Sequence, residues 1–161
     1  MTTRIGNASD FNAVVPMMRK CRLRLQQIDT VLFELHPDAE QRFRRWVGAL
    51  AEDPRATLLV AEDQGQIIGF LTATMERNPP IYLPEEYALV REWWVEPPYR
   101  ETGAEEALIA RAAAEFEAVG VRQIRIHIAA PDEDIRTMLE GCGFRLGTAE
   151  LVMDLRPAKG K

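Results

Sequence analysis

Cysteine and histidine are both scarce in this sequence, which has two of each. Cys21 and Cys142 lie far apart, and neither belongs to a Cys-x-x-Cys pair. With only His36 and His127 beside them, the spacing of a zinc site is missing, so we expect no metal cofactor. Free cysteines without a disulfide framework are typical of a reducing compartment, which predicts a cytoplasmic protein.

Long apolar runs and an excess of basic charge are also missing. The opening residues MTTRIGNASDF lack the apolar segment of a secretory signal, and no run approaches the roughly 20 apolar residues of a membrane span. Acidic residues outnumber basic ones by 25 to 20, for a net charge of −5, whereas nucleic-acid binding needs a basic face. These features predict a soluble protein with neither a membrane nor a nucleic-acid partner.

The sequence contains two local clusters of basic residues, although its net charge is negative. They are RKCRLRLQ at residues 19–26 and RFRRW at residues 42–46. Solvated helix faces are the commoner explanation for such clusters. A binding site for an anionic group is the alternative, and the sequence leaves both open.

The chain has 161 residues, 47% of them hydrophobic, which suits one compact domain at residues 1–156 with a disordered tail at 157–161. Apolar periodicity and turn residues predict strands at residues 3–8, 56–63, 66–77, 87–97 and 123–130. They also predict four helices, of which the first begins after Ser9-Asp10 and the others span residues 36–53, 103–119 and 132–143. Residues 144–155 are expected to add one or two strands. The strand–helix–strand unit from residue 90 to 129 implies a parallel pair, while the 56–77 hairpin is antiparallel. We therefore predict an α/β (α+β) fold with a mixed, mostly antiparallel sheet and helices on both faces.

The junction VEPPYRETGAEEALIARA, residues 95–112, is the most informative stretch. A strand ends there in a tight turn, and a helix begins. The first N–H groups of a helix are free and its dipole is positive there, so such a start can hold an anion, and glycine allows close approach. Arg100 and Gly103 supply a cation and a glycine. The lysine and second glycine of a nucleotide-hydrolase phosphate loop are missing, so the turn alone is a weak signal.

Its surroundings make the signal more specific. The segment WWVEPPYRETGAEEALIARA, followed by IRIHIAAPDEDIRTMLEGCGF, resembles the GCN5-related N-acetyltransferases (GNAT superfamily). The residues that match that family in type and spacing are Val95, Pro97, Tyr99, Arg100, Gly103, Gly143 and Phe144. The order of the elements before them also matches, so the resemblance covers nearly the whole chain.

The resemblance implies acetyl-CoA, or another acyl-CoA, as donor. By analogy with the family, the turn formed by Arg100, Glu101, Thr102, Gly103, Ala104 and Glu105 would bind the pyrophosphate. Trp94 and Val95 would pair with the pantetheine arm, which inserts like a strand beside Ile126, and an N–H near Val95 would polarise the thioester carbonyl. Glu92 would be the catalytic base. Asp132 occupies the donor-binding position at which the family often has Asn.

Three positions depart from the family pattern: Glu105 replaces a small residue, Asp132 replaces Asn, and Leu139 replaces a Tyr that often protonates the leaving thiolate. A carboxylate within a few ångströms of a pyrophosphate costs on the order of 1 kcal/mol or more at an effective dielectric near 20. A second explanation for Glu105 is structural. The sequence Thr102-Gly-Ala-Glu105 fits a capping box, in which the two side chains bond each other's backbone N–H groups.

Two functions therefore remain open. The first is an acyl-CoA-dependent N-acetyltransferase that moves an acetyl group to a primary amine by direct attack, with a small-molecule or peptide amine as acceptor. The second is a non-catalytic acyl-CoA-binding or protein-interaction module on the same fold, which Glu105 and Leu139 favour. A homodimer is consistent with the resemblance.

Overall fold

A computed structural model describes residues 1–155 of the protein. The strands are β1 (Thr2–Ile5), β2 (Ala56–Asp63), β3 (Gln66–Arg77), β4 (Glu86–Val95) and β5 (Ile124–Ile126). The helices are α1 (Phe11–Ile28), α2 (Ala39–Glu52), α3 (Ala104–Ala118) and α4 (Glu133–Gly141), and short 3-10 turns cover Ala8–Asp10 and Pro97–Thr102. The tail predicted at 157–161 lies outside the described residues.

The five strands form one sheet in the order β1-β2-β3-β4-β5. Every neighbouring pair is antiparallel except β4 and β5, which are joined through α3 and run parallel. Gln64 and Gly65 turn the β2–β3 hairpin with positive φ angles, as a two-residue hairpin loop requires. The mixed, mostly antiparallel sheet predicted from the sequence is thus confirmed.

Helices cover both faces of the sheet. Side chains alternate along each strand, so the strands present apolar side chains to both layers of helices. Leu58, Val60 and Phe70 point to one face and form a buried core with α1 and α2. Leu59, Ala61 and Leu71 point to the other face. There they pack with five residues of α3, namely Ala104, Leu108, Ile109, Ala112 and Phe116, and with Leu139 of α4. The predicted apolar stripe of α3 is therefore the stripe that it buries.

The C-terminal end differs from the prediction. Residues 144–155 form no strand, and the strand predicted at 123–130 is reduced to the three residues of β5. Leu151, Met153 and Leu155 are exposed. Alternating apolar residues make a strand only where a neighbouring strand bonds their backbone and a layer covers one face. Residues 144–155 have neither in the structure.

Candidate active site

A gap opens between β4 and β5. Their pairing begins at Ala88 with Ile124 and ends at Val90 with Ile126, but β4 continues to Val95. The N–H of Glu96 donates to the carbonyl of Ile68 on the β3 side at 2.8 Å. Successive N–H groups of a strand point to opposite edges, so the N–H of Val95 faces the gap. The end of β4 therefore has hydrogen-bonding groups available to an extended ligand.

A β-bulge sets the direction of β4 at this point. The register with β3 skips Arg91: Ala73 is opposite Val90, and Thr72 is opposite Glu92. A bulge bends the strand and increases its twist. The buried hydroxyl of Thr72 lies within hydrogen-bonding distance of both the N–H and the carbonyl of Glu92, at 3.1 and 3.2 Å, and so supports the bulge from β3.

The turn after β4 leaves four backbone donors free. Gly103 has a φ of 83°, in the left-handed region that glycine tolerates best, and a Cβ there would meet no atom within 4 Å. Ala107 is the first residue of α3 whose N–H is bonded in the helix, to Gly103 at 3.0 Å. Within residues 1–155, the N–H groups of residues 103–106 have no acceptor. Four N–H groups without an acceptor at the positive end of a helix can bind a phosphate.

Arg100 is held beside this turn. Its Nε donates to the Val95 carbonyl at 3.1 Å, and its guanidinium lies 4.3 Å from the centroid of the Trp94 ring. Trp94 packs on the α1 and α2 side, whereas Trp93 packs on the opposite core. The structure therefore brings three residues predicted from the sequence, Trp94, Val95 and Arg100, into one cluster at the end of β4.

The capping box predicted for Thr102 and Glu105 is wrong. Gly103 is the N-cap of α3 without any side-chain cap bond, and the Thr102 hydroxyl donates instead to the carbonyl of Tyr99 at 2.7 Å. Because the left-handed turn at Gly103 delays the helix start by one residue, Glu105 becomes the second helical residue. A capping box requires the Glu at the third helical position.

Glu105 is instead buried, with 7% of its surface exposed. Burial raises the pKa of the Glu105 carboxyl, and the charges of Arg100 and Arg24 oppose that rise. Within the described chain its carboxylate makes no hydrogen bond or ion pair. The structure thus places a poorly solvated carboxyl group in the turn, with two arginines nearby.

Glu92, the predicted base, has a cationic partner. Its side chain is mostly buried and forms an ion pair with the guanidinium of Arg22 from α1. Glu92 and Trp94 are two residues apart on β4, so both side chains lie on the α1 face.

Asp132 also pairs with an arginine of α1. Arg24 donates to both Asp132 carboxylate oxygens, at 2.5 and 2.8 Å, and Asp132 makes no cap bond at the start of α4. Lys20, one turn earlier on α1, binds Glu96 at 2.5 Å. Sequence reasoning did not assign Lys20, Arg22 or Arg24 to the site. The signal was the basic cluster at 19–26, for which a solvated face was the commoner explanation.

Leu139 has no acidic group at the position where the family often has a Tyr. Leu139 is buried in the α3–α4 core. Tyr87 lies at the opposite end of β4, about 26 Å from Val95 along the strand, and stacks on Arg125. Burial raises the pKa of the Cys142 thiol, whose only described hydrogen bond is to Met138.

The Gly-Phe pair of the family pattern ends α4. Gly143 has a φ of 92°, and the N–H of Phe144 donates back to the Leu139 carbonyl at 3.0 Å. This is the bonding of a helix that stops at a left-handed residue. These two positions therefore shape the end of α4.

Residues 1–155 contain no group of three His, Cys, Asp or Glu side chains that could hold a metal ion. Among the same residues, no helix is both long and apolar enough to cross a membrane.

Solved structures with the same fold have low sequence identity to the chain. An aminoglycoside antibiotic 6'-N-acetyltransferase from Acinetobacter haemolyticus superposes with a TM-score of 0.76 at 15% identity, covering 98% of this chain and 100% of that one. A predicted acetyltransferase from Clostridium acetobutylicum, solved with acetyl-CoA, gives 0.74 at 18% identity, covering 96% of each chain. A Bacillus halodurans protein solved as a tetramutant gives 0.82 at 15% identity, covering 96% of this chain and 100% of that one. At these identities the similarity shows the fold alone.

A search of curated proteins found no match to the chain. The model of the acetyltransferase (GNAT) family matches residues 22–144, which is more than half of the sequence. That match spans the gap between β4 and β5, the turn at Gly103 and the end of α4. The chain therefore belongs to the GNAT family of acetyltransferases.

Proposed function

We propose that this protein transfers an acetyl group from acetyl-CoA to a primary amine by direct attack of the amine on the thioester. The observation that carries the proposal is that β4 loses its pairing with β5 after Val90 and then leads, through one short 3-10 turn, to the free N–H groups of residues 103–106. A long donor with an extended arm and a diphosphate needs both parts side by side. Glu92 lies on the same strand, three residues before Val95, and supplies a base next to the gap.

The proposed donor site uses the backbone for most of its contacts. The N–H groups of the Gly103 turn, with Arg100 beside them, bind the diphosphate. The backbone of Val95 and Trp93, which faces the gap, pairs with the pantetheine amides, because the backbone of Trp94 faces β3 opposite Phe70. The exposed Glu101 and Thr102 border the turn. Ala104 is fully buried and contributes only its backbone. The side chain of Glu105 is the one feature that opposes an anion there.

In the proposed reaction Glu92 removes the proton that keeps the amine from attacking. The acceptor ammonium takes the place that Arg22 holds beside Glu92, gives up a proton and attacks the thioester carbon. The Val95 N–H stabilises the oxygen that becomes negative. The C–S bond then breaks, the sulfur leaves as a thiolate, and the amide nitrogen gives its remaining extra proton to solvent. Since thiols have pKa values near 8.5, this departure does not require a protein acid at the position of Leu139.

The acceptor is proposed as a small-molecule or peptide amine. The acetyltransferase named for its action on an aminoglycoside supports the small-molecule class. A cationic amine also suits Glu92, whose present partner is the guanidinium of Arg22. Cytoplasmic location and a homodimer remain predictions from the sequence.

One alternative has an observation in its favour. Glu92 is ion-paired and Glu105 is buried in the turn, so the fold could hold an acyl-CoA without turning it over. A protein of this kind would bind the donor but release no thiol with any amine.

The test begins with ligand-dependent thermal unfolding. CoA at about 100 times its Kd should stabilise the protein by roughly 2.7 kcal/mol. ATP at the same concentration is the control, because it has phosphates but no pantetheine arm. Gly103→Val should remove the CoA response, since a β-branched residue is strained at a φ of 83°. No response of the wild type to millimolar CoA would disprove donor binding, and a response without thiol release across a panel of amines would favour the alternative.

Glu105→Gln is expected to tighten CoA binding about five- to tenfold. The substitution removes a negative charge from the turn, and the repulsion between that charge and the diphosphate costs roughly 1 kcal/mol of binding free energy. Burial raises the Glu105 pKa, so the ionised form is the unfavourable one. The CoA affinity of the wild type should therefore rise as pH falls through that pKa. The affinity of the Gln variant should not show this rise. Calorimetric titration across pH measures both.

Glu106→Gln is the matched control for this change. Glu106 is the next residue of the same helical turn and is exposed, so its charge is screened by water. It should alter CoA affinity less than Glu105→Gln does. If Glu105→Gln left affinity unchanged, or weakened it, the carboxyl group would not face the phosphate.

A further inference from the structure

The ion pair between Arg24 and Asp132 lies across the mouth of the proposed donor site. Arg24 belongs to α1, which packs on one face of the sheet, and Asp132 begins α4, which packs on the other. Asp132 follows β5 by six residues, past the last β4–β5 pair of Val90 and Ile126, and the charge of Arg24 also acts on Glu105 at the start of α3. The pair therefore bridges the two layers over the gap that an extended donor would have to enter.

The carboxylates around this pair leave no arginine without an anionic neighbour. Asp132 is buried and holds two donors of Arg24. Glu105 is also buried, has no hydrogen-bond partner within residues 1–155, and lies in the field of both Arg24 and Arg100. Two carboxylates thus face two arginines, so an incoming diphosphate would find the positive charge already matched.

Arg24 is the arginine that can change partner at lower cost. Arg100 is held by the Val95 carbonyl through Nε and by the Trp94 ring. Arg24 is one-third exposed, and its described hydrogen bonds go only to Asp132. The planar fork that binds a carboxylate at two points binds two phosphate oxygens with the same geometry.

We propose that Arg24 is a donor-binding residue that exchanges the carboxylate of Asp132 for the diphosphate of the donor. This inference rests on the proposed function, because the donor's diphosphate is its ligand. It assigns to α1 a positively charged contact with the diphosphate. The turn at Gly103 lacks enough positive charge for this contact by itself, because Glu105 offsets the charge of Arg100. The exchange also opens the bridge across the gap, so donor entry and diphosphate binding become one event.

The test compares two variants that differ only at residue 24. Arg24→Gln alone would leave Asp132 buried without a partner and could unfold α4, so both proteins carry Asp132→Asn. D132N and R24Q/D132N are titrated by calorimetry with CoA and with pantetheine, which has the same arm but no diphosphate. Arg19→Gln, a change of equal charge at an exposed residue of the same helix, is the control.

We expect D132N to bind CoA more tightly than the wild type does, because its Arg24 is released. R24Q/D132N should bind CoA roughly tenfold more weakly than D132N, the size of a charge-assisted hydrogen bond. Pantetheine should bind both variants equally, and Arg19→Gln should match the wild type.

Equal CoA affinity of D132N and R24Q/D132N would overturn the inference while leaving the proposed function intact. An equal loss for CoA and pantetheine would also overturn it, because Arg24 would then only support the site. A wild type that binds no CoA would instead end the proposed function, and with it this assignment.

Discussion

Glu92→Gln is expected to lower turnover by about a hundredfold or more, the usual contribution of a positioned general base. The loss should be greatest at low pH. Alkyl amines have pKa values near 10, so the variant must rely on the small fraction of acceptor that is already neutral, and that fraction grows as pH rises. The measurement is a pH–rate profile of thiol release with a primary amine, beside the CoA affinity of the same protein.

Three results would separate the possible roles of Glu92. A base role requires lost turnover with unchanged CoA affinity and a rate that rises with pH more steeply in the variant than in the wild type. Glu115→Gln, the same chemical change at a partly exposed residue of α3 that pairs with Arg111, should leave the profile as in the wild type. A wild-type profile for Glu92→Gln would remove Glu92 from the reaction. Parallel loss of CoA affinity would show that its ion pair with Arg22 mainly holds α1 against β4.

Leu108→Ala is expected to lower the free energy of unfolding by about 3 kcal/mol. Leu108 is fully buried between α3 and the sheet, one turn after the start of the helix that carries the free N–H groups. Truncating it removes apolar contacts and leaves a cavity in a close-packed core. Denaturant unfolding of the free protein measures the loss.

Leu151→Ala is the matched control for that substitution, because Leu151 is 94% exposed. It should change the unfolding free energy by no more than about 0.5 kcal/mol. If the two leucine variants were equally stable, α3 would not be packed against the sheet as described. CoA should restore part of the stability of Leu108→Ala, since a ligand that binds only the folded state stabilises it.

The order of elements could be predicted because it depends on local signals. Gly65 ends a hairpin, Gly103 and Gly143 take left-handed conformations, and the stripe that includes Leu108 has helical spacing. Each of these depends on residues close together in the chain. The strands expected at residues 144–155 failed for the opposite reason, because a strand needs a partner that its own sequence does not specify.

The candidate site also has a part that local sequence determines and a part that depends on contacts between distant segments. The residues from Glu92 to Glu105 are contiguous, so one stretch of sequence was enough to bring Trp94, Val95, Arg100 and the Gly103 turn together. The partners of their charges come from elsewhere in the chain. Arg22 is paired with Glu92, and Arg24 with Asp132, by the packing of α1 on the sheet.

Sequence alone determined the type of fold and the position of the strand–helix turn, because hydrogen-bonding pattern and backbone freedom are properties of neighbouring residues. Tertiary structure decided what Glu105 does and which cations face the carboxylates. A capping box at Thr102 and a buried Glu105 are equally compatible with the letters TGAE. The left-handed turn at Gly103 moves the helix start by one residue, and the packing of α1 places Arg24 near Glu105. Contacts between distant segments arise only when both pack on the same sheet, so no local pattern could have shown them.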